Sequence, residues 1–319
     1  MTLKEYLDRL MFLLGKDLME GKFISKEIGE LFPNVEDLMS CFNINYLLNS
    51  IPQLRDLYES IEIIKDEKSM YHAVMTIIFM TTSKSRSPLR KKDKEDEEPY
   101  ESLAHFAGRR ERTTFITFNY DTLLDSQLLV SGVPFTYQLA TQNEDDTANA
   151  NCRLLKLHGS SNIWHCRNCQ RNSLYKVESL EEYCDLFEEM NLGWNIPDTQ
   201  CCGNPTLFPL IVPPTMLKTM NTLPLMKLWI AAEAAVERSQ TIAFIGYSFP
   251  KEDIMARSLI RSTLLRAEEL KYIIYINRNP APLSFIERVL SERQSKPEIL
   301  SFTDEEGLAE ERVPILFKT

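Results

Sequence analysis

Long hydrophobic runs, a secretory leader and an even set of cysteines are all missing from this 319-residue sequence. No apolar stretch approaches the roughly 18 residues that a membrane-spanning helix requires. Residues 1–6 lack the charged and then apolar pattern of a signal peptide. The seven cysteines are odd in number and four of them cluster, which fits metal binding in a reducing compartment better than a disulfide framework. These absences predict a cytoplasmic protein with no membrane partner.

Positive charge is also in short supply. The chain has 36 Lys and Arg residues against 46 Asp and Glu residues, and its formal net charge is -10. Because non-specific nucleic-acid binding depends on basic side chains that neutralise phosphates, we expect no direct nucleic-acid partner. The composition, 44% hydrophobic and 26% charged, is otherwise that of a soluble globular protein.

Residues 1–110 predict a helical region. Apolar residues recur at three- and four-residue spacing through 3–14 and 35–64, and 70–80 is a more apolar helix. Within this region, residues 83–100 change to a basic and then an acidic block. A block this polar buries too little area to offset the entropy of ordering, so it predicts a mobile surface loop.

Residues 111–319 alternate between apolar strands and helices. Strands are predicted at 113–118, 152–157, 210–212, 241–245 and 272–276. Helices are predicted at 122–130, 223–239 and 252–270. Strands that alternate with helices and are apolar throughout are typical of an α/β fold, in which a parallel sheet carries helices on both faces.

Several of these strands end in polar residues. The residues at these strand ends are, in chain order, Asn119 and Asp121, His158, Gly246 and Ser248, and Asn277. Open α/β sheets bind ligands at the carboxyl ends of their strands, so we expect these residues to line one crevice. Taken singly, each is as readily explained as a turn or cap residue, and only the set favours a site.

Four stretches, taken in order, resemble the motifs of sirtuin-like domains. They are Phe118-Asn119-Tyr120-Asp121-Thr122-Leu123-Leu124, Lys156-Leu157-His158-Gly159-Ser160, Ile245-Gly246-Tyr247-Ser248-Phe249 and Ile276-Asn277. The resemblance covers residues 113–280 and is strongest to the bacterial branch associated with antiphage defence. The resemblance implies a Rossmann-like fold and an enzyme that hydrolyses NAD to nicotinamide and ADP-ribose. Such an activity would deplete the cell of NAD. The resemblance also implies a homo-oligomer or a partner protein of the defence system.

The resemblance implies catalytic roles for the first two motifs. Asn119 would position the nicotinamide ribose or the attacking water, and Asp121 would hold the nicotinamide end or support the loop. His158 would contact ribose hydroxyls and act as general base, a task that suits an ordinary imidazole pKa of about 6.5. Without these neighbours, His158 would be read as a hydrogen-bonded turn residue before Gly159.

The last two motifs would hold the nucleotide. Gly246 permits close backbone approach and Ser248 offers a hydroxyl. The N-terminus of the helix that follows favours a phosphate. Asn277 would hydrogen-bond a ribose.

A cysteine group follows the histidine motif, where sirtuin domains often insert a small zinc ribbon. The resemblance implies such an insertion at residues 162–208, with structural zinc bound by Cys166, Cys169, Cys201 and Cys202. The first pair has metal-site spacing, whereas the second pair is adjacent and only Cys202 matches the family position well. His165 or Cys184 is an open alternative for the fourth ligand, and a metal-free ribbon held by packing is the other alternative.

Two family features are missing. No Gly-rich loop that would cradle the NAD diphosphate is present, because the glycines before residue 110 are isolated. Either the chain begins downstream of that loop or this half of the pocket is lost, and a catalytically silent nucleotide-binding or regulatory subunit is therefore the alternative. Residues 207–214 also lack the Phe-Gly-Glu of deacylases, which weakens the case for an NAD-dependent protein deacylase.

Overall fold

The computed structural model describes residues 99–110, 112–139, 150, 152–166, 168–174, 202, 207–212, 223–251 and 253–303. The elements are, in chain order, α1 (Pro99–Arg109), β1 (Thr113–Thr117), α2 (Leu123–Val130), β2 (Phe135–Thr136), β3 (Cys152–Lys156), β4 (Gly159–Cys166), β5 (Asn172–Leu174), β6 (Leu207–Ile211), α3 (Leu223–Glu237), β7 (Thr241–Ile245), α4 (Ile254–Arg266), β8 (Tyr272–Ile276), α5 (Leu283–Ser291) and β9 (Glu298–Phe302).

These residues divide into two compact units that alternate along the chain. The hairpin unit contains the described parts of 119–122 and 158–221. The parallel-sheet unit contains the described parts of 89–118, 123–157 and 222–319.

The parallel-sheet unit holds two three-stranded sheets. One has the order β1-β3-β2 and the other the order β7-β8-β9, and every strand pair in both is parallel. In the first sheet Thr113 pairs with Cys152 and Thr117 with Lys156. In the second, Thr241 pairs with Tyr272. The predicted α/β fold with parallel strands flanked by helices is thus confirmed. The expectation of a single parallel sheet is wrong for the described residues, in which these strands form two separate three-stranded sheets.

Strand β8 shows why the strand residues are apolar throughout. Ile273 and Tyr275 pack into one core cluster with residues of α4 and α5, while Ile274 and Ile276 pack into another with β7 and β9. All four side chains are at most 2% exposed. Burying an aliphatic side chain of this size contributes about 1.5–3 kcal/mol, so a polar residue at any of these positions would be strongly destabilising.

Strand β3 is also buried on both sides. Cys152 and Leu154 pack with α1 and α2, and Leu155 and Leu157 are fully buried as well. The strand also carries a buried cation, because Lys156 pairs with Asp125 of α2 through Nζ–Oδ distances of 3.0 and 3.1 Å. This pair joins the strand that precedes His158 to the helix that follows Asp121.

The hairpin unit contains an antiparallel sheet of order β5-β4-β6. The strand predicted at 210–212 was expected in the parallel sheet, and that expectation is wrong. It is part of β6, which runs antiparallel to β4 with Gly159 opposite Ile211. Strands β4 and β5 were not predicted. Their residues include Ser160, Ser161, Asn162 and His165, so no apolar run marks them in the sequence.

Residues 1–98 of the predicted helical region 1–110 lie outside the described residues. The predicted charged loop, 83–100, also lies outside them except for its last two positions. Pro99 and Tyr100 were assigned to that loop but begin α1, which lies in the parallel-sheet unit. The helix predicted at 252–270 is observed over the shorter range of α4. None of the described helices is long and apolar enough to cross a membrane.

Candidate functional site

Asn119 and Asp121 lie in the segment that joins β1 to α2, just beyond the carboxyl end of β1. The side chain of Asn119 is exposed and that of Asp121 is half-buried. His158 lies in the turn between β3 and β4 and is 5% exposed. All three residues belong to the hairpin unit.

Tyr120 connects the two motifs directly. Its backbone carbonyl accepts a hydrogen bond from the Ser161 amide at 3.0 Å, and its hydroxyl donates to the Val212 carbonyl at 2.6 Å. Its ring lies over the imidazole of His158 with 6.1 Å between ring centroids. The amide of Val212 in turn donates to the His158 carbonyl at 2.7 Å. The segment that carries Asn119 is therefore packed against the turn that carries His158.

Gly159 is required for this turn. Its φ is +83°, and a Cβ at this position would lie 1.8 Å from the backbone oxygen of Leu210. No side chain fits at that distance, and L-residues rarely adopt such a φ. The glycine that follows His158 thus permits the close approach of β4 and β6.

The arrangement brings an exposed amide, a half-buried carboxylate and a buried imidazole into one unit. Groups of this kind can orient a sugar and a water molecule, and an imidazole can accept a proton near neutral pH. An electron-deficient centre placed beside them would be stabilised by the carboxylate and by oriented dipoles.

Gly246, Ser248 and Asn277 form a second group, within the parallel-sheet unit. The Asn277 amide nitrogen donates to the Tyr247 carbonyl at 3.0 Å, and its side-chain oxygen accepts from the Asn279 backbone amide at 3.0 Å. Gly246 has a φ of +66°, which favours glycine, and it is exposed, as is Ser248. Asn277 thus braces the loop that follows β7 and also shapes its own turn.

The helix terminus beyond this loop is occupied by a carboxylate. Asp253 is the N-cap of α4 and is 2% exposed, and its side chain accepts hydrogen bonds from the Ala256 amide at 3.3 Å and the Tyr247 hydroxyl at 3.2 Å. A carboxylate in this position satisfies a helix amide and repels a second anion. The geometry therefore opposes the expectation that this terminus favours a phosphate.

Aromatic contacts join the carboxyl ends of strands from the two parallel sheets. Phe118, just after β1, stacks on Tyr247, just after β7, with 4.7 Å between centroids. Phe118 also contacts Trp229 at 6.2 Å, and the Trp229 indole donates to the Leu157 carbonyl at 3.0 Å. The ends of β1, β3 and β7 are thereby held together within the parallel-sheet unit. That the two residue groups line one crevice stays a prediction.

Three of the predicted metal ligands come together in the hairpin unit. The sulfur atoms of Cys166, Cys169 and Cys202 lie within 4.8 Å of one another, and those of Cys166 and Cys202 are 3.8 Å apart. Tetrahedral zinc with Zn–S bonds of about 2.3 Å places its sulfurs about 3.8 Å apart, so the cluster has the dimensions of a zinc–thiolate site. The Asn168 side-chain amide donates to the Cys202 sulfur at 3.2 Å, a contact that stabilises a thiolate. The cluster could bind a metal.

The chain forms a turn at residues 168–169, after Cys166. The Gln170 amide donates to the Cys166 carbonyl at 2.8 Å, and Gln170 has a φ of +62°. His165 adjoins Cys166 on β4, where successive side chains point to opposite faces. Its Nδ1 is 2.9 Å from the Asn172 side-chain oxygen. His165 is not among the described residues whose ligand atoms lie within 4.8 Å of one another, so it is not the fourth ligand in this arrangement. Cys201 and Cys184 lie outside the described residues.

No protein-family model matches this chain, and no curated protein matches it. The candidate site therefore rests on the motif resemblance and on the geometry given above.

Four residues with structural roles in or near these sites were not singled out from the sequence: Tyr120, Asp125, Asn168 and Asp253. Tyr120 lies inside a quoted motif, so its position between Asn119 and Asp121 was a usable signal. The partner of Asp125 lies 31 residues away and the partner of Asn168 lies 34 residues away. No local pattern reveals contacts of that separation.

Proposed function

We propose that this protein cleaves the bond between nicotinamide and ribose in NAD and hydrolyses NAD to nicotinamide and ADP-ribose. The proposal rests on the resemblance to sirtuin-like motifs. The observation that carries it furthest is the packing of Tyr120 against His158, because it keeps Asn119 and His158 in one unit at the ends of paired strands.

The chemistry follows from these groups. As the bond between C1′ and nitrogen breaks, its electron pair moves to the nicotinamide ring and C1′ gains oxocarbenium character. Asn119 orients the nicotinamide ribose or the attacking water, and Asp121 supports the nicotinamide end. Water forms the new bond to C1′ and gives its proton to the imidazole of His158.

The nucleotide half of NAD binds at Gly246, Ser248 and Asn277. Gly246 is exposed and has no side chain, so a ligand can approach its Cα closely, although its amide already donates to the Ile276 carbonyl at 2.8 Å. The exposed hydroxyl of Ser248 is available as a donor. Asn277 offers a second N–H and a second lone pair to a ribose, besides those that brace the loop.

The biological outcome that fits this activity is antiphage defence by NAD depletion, carried out as a homo-oligomer or together with a partner protein of the defence system. Depletion of a common cofactor arrests infected cells, so such an activity must be silent until it is triggered.

The metal of the cysteine cluster is zinc in a structural role. Cys166, Cys169 and Cys202 supply three thiolates, and Cys201 remains the predicted fourth ligand. Zinc–thiolate bonds would stabilise this small three-stranded sheet.

A second candidate function is a catalytically silent subunit that binds a nucleotide or a partner. The Asp253 carboxylate favours it, because it occupies the helix terminus at which a phosphate would otherwise bind. Protein deacylation stays a weaker alternative.

Incubation of the purified full chain with NAD, followed by chromatography of nicotinamide and ADP-ribose, tests the proposal. We expect turnover that is abolished in Asn119→Ala and in His158→Ala, and kept in His105→Ala, whose histidine is exposed on α1. NAD binding without turnover under these conditions would favour the silent subunit. Release of nicotinamide only when an acylated peptide is present would favour the deacylase.

A further inference from the structure

A shallow surface cavity of about 290 Å³, largely open to solvent, lies along α4 in the parallel-sheet unit, at a place that none of the sequence motifs marks. It is lined by Lys251, Ile254, Arg257, Ser258, Arg261 and Phe285. We propose that this cavity binds a small phosphate monoester that carries a planar or apolar group. The proposal does not depend on NAD cleavage.

The charge of the lining points to an anion. Three of the six residues are cations, in a chain whose formal net charge is -10. Of these three lining cations, Arg261 is paired with the Glu292 carboxylate at 2.6 Å, and both partners are about half exposed. No carboxylate of the described residues is paired with Lys251 or Arg257. Lys251 and Arg257 therefore supply most of the positive charge of the cavity, and the buried Asp253 carboxylate at the N-terminus of α4 offsets part of it. The remaining positive charge on an acidic protein attracts anions.

Arg257 is held in place before any ligand arrives. One guanidinium nitrogen donates to the Phe249 carbonyl at 2.7 Å, and the guanidinium carbon lies 4.1 Å from the centroid of the Phe285 ring. A guanidinium has five N–H donors, so others remain for phosphate oxygens, which it binds in a two-point geometry. Less conformational entropy is lost on binding because the side chain is already ordered.

The remaining lining residues define the rest of the ligand. Ser258 offers a hydroxyl on the exposed side of α4, and Ile254, which is 71% exposed, offers an apolar surface. The Phe285 ring is already in contact with Arg257 and Phe249, so it holds the guanidinium in place. An isoleucine this exposed suits contact with a planar or apolar group. The volume lies at the lower limit of ligand pockets, roughly 300 Å³, so a nucleoside monophosphate fits better than a dinucleotide.

Calorimetric titration of the full chain with AMP tests the proposal, with adenosine and inorganic phosphate as separate ligands. We expect AMP to bind, and adenosine to bind at least about tenfold more weakly because it lacks the phosphate. Ser258→Glu places a carboxylate in the cavity from an exposed helix position, and we expect AMP affinity to fall at least about tenfold. Arg238→Gln removes one exposed cation outside the cavity and should leave AMP affinity unchanged.

Two further variants separate this cavity from the candidate NAD site. In Ser248→Ala and in His158→Ala, the component of AMP binding that Ser258→Glu removes should persist unchanged. If AMP does not bind, or if its affinity is insensitive to Ser258→Glu, the proposal is wrong. It is equally wrong if Ser248→Ala abolishes AMP binding and Ser258→Glu does not, because AMP then occupies the candidate NAD site. Tight binding of inorganic phosphate alone would overturn the claim that the planar group contributes.

Discussion

Replacing Lys156 with methionine removes the cation of a buried ion pair and leaves a carboxylate behind in the protein interior. The side chains of Lys156 and Asp125 are only 1% and 4% exposed, and the ammonium contacts both carboxylate oxygens. The Tyr137 hydroxyl also donates to Asp125, at 2.5 Å. Methionine has a similar length, so the variant changes charge far more than it changes packing.

The expected loss can be bounded from these contacts. Removing one partner of a buried ion pair lowers the free energy of unfolding by about 3–5 kcal/mol. Domains are stable by about 5–15 kcal/mol, so Lys156→Met should remain folded but show a large fall in its urea midpoint. The double variant Asp125→Leu with Lys156→Met removes both charges. Its stability should return to within about 2 kcal/mol of the unaltered chain, because an apolar pair of similar volume replaces a buried ion pair nearly neutrally. The remaining loss, about 0.5–1.5 kcal/mol, comes from the Tyr137 hydroxyl, which no longer has Asp125 as its acceptor.

Urea denaturation followed by tryptophan fluorescence measures these differences. The control is Arg261→Met, which removes a cation from an ion pair that is about half exposed and should cost less than about 1 kcal/mol. If Lys156→Met lowers the urea midpoint no more than Arg261→Met does, water screens the pair of Lys156 and Asp125 more than its burial indicates. If the double variant is as unstable as the single one, the loss comes from packing and the electrostatic argument is wrong.

The other predictions concern glycine, thiols and metal. Gly159→Ala should lower the free energy of unfolding far more than Gly132→Ala does. Both positions have a positive φ, but only at position 159 would the new Cβ lie 1.8 Å from a backbone oxygen. The urea midpoints of the two variants measure the difference. Burial raises the pKa of the Cys152 thiol to about 12, so this thiol is almost entirely protonated at pH 8.5. In native protein treated with a chelator, iodoacetamide at pH 8.5 should therefore alkylate the exposed Cys202 and leave Cys152 unmodified. Peptide mass spectrometry measures the alkylation of each cysteine. Native mass spectrometry should find one zinc per chain, lost in Cys169→Ser and kept in Cys152→Ser; a metal-free unaltered chain would contradict the zinc site.

The parallel strands could be read from the sequence because their signal is local. Residues 241–245 and 272–276 are mostly apolar runs that stop at turn or polar residues. In 272–276, burial on both faces accounts for that pattern. The antiparallel sheet could not be read in this way. Strand β4 mixes polar and apolar residues, and its pairing with β6 depends on the missing side chain of Gly159 opposite a segment about fifty residues away.

The candidate site likewise has features that the sequence indicated and features that it did not. The cysteine spacing indicated a metal-binding cluster, and three of the four predicted ligands do lie together. That Asn119 and His158 form one catalytic site stays a prediction. The motifs gave no sign that Asp253 caps α4 with its carboxylate, since an aspartate before a helix is equally consistent with an exposed cap. The ion pair of Asp125 and Lys156 joins distant positions and has no sequence signature of its own.

Asn277 and Ser248 differ in how clearly a substitution can report on nucleotide binding. Both polar atoms of the Asn277 side chain brace backbone groups, at Tyr247 and at Asn279. Asn277→Ala therefore loses these bonds, at about 0.5–1.5 kcal/mol each, together with any contact to a ribose. Ser248 is exposed, and none of the described residues bonds its hydroxyl, so Ser248→Ala leaves the fold intact. If this loop holds NAD, Ser248→Ala raises KM with little change in kcat and in the urea midpoint, because it removes uniform binding only. An unchanged KM would exclude the Ser248 hydroxyl from the NAD site, whatever Asn277→Ala does.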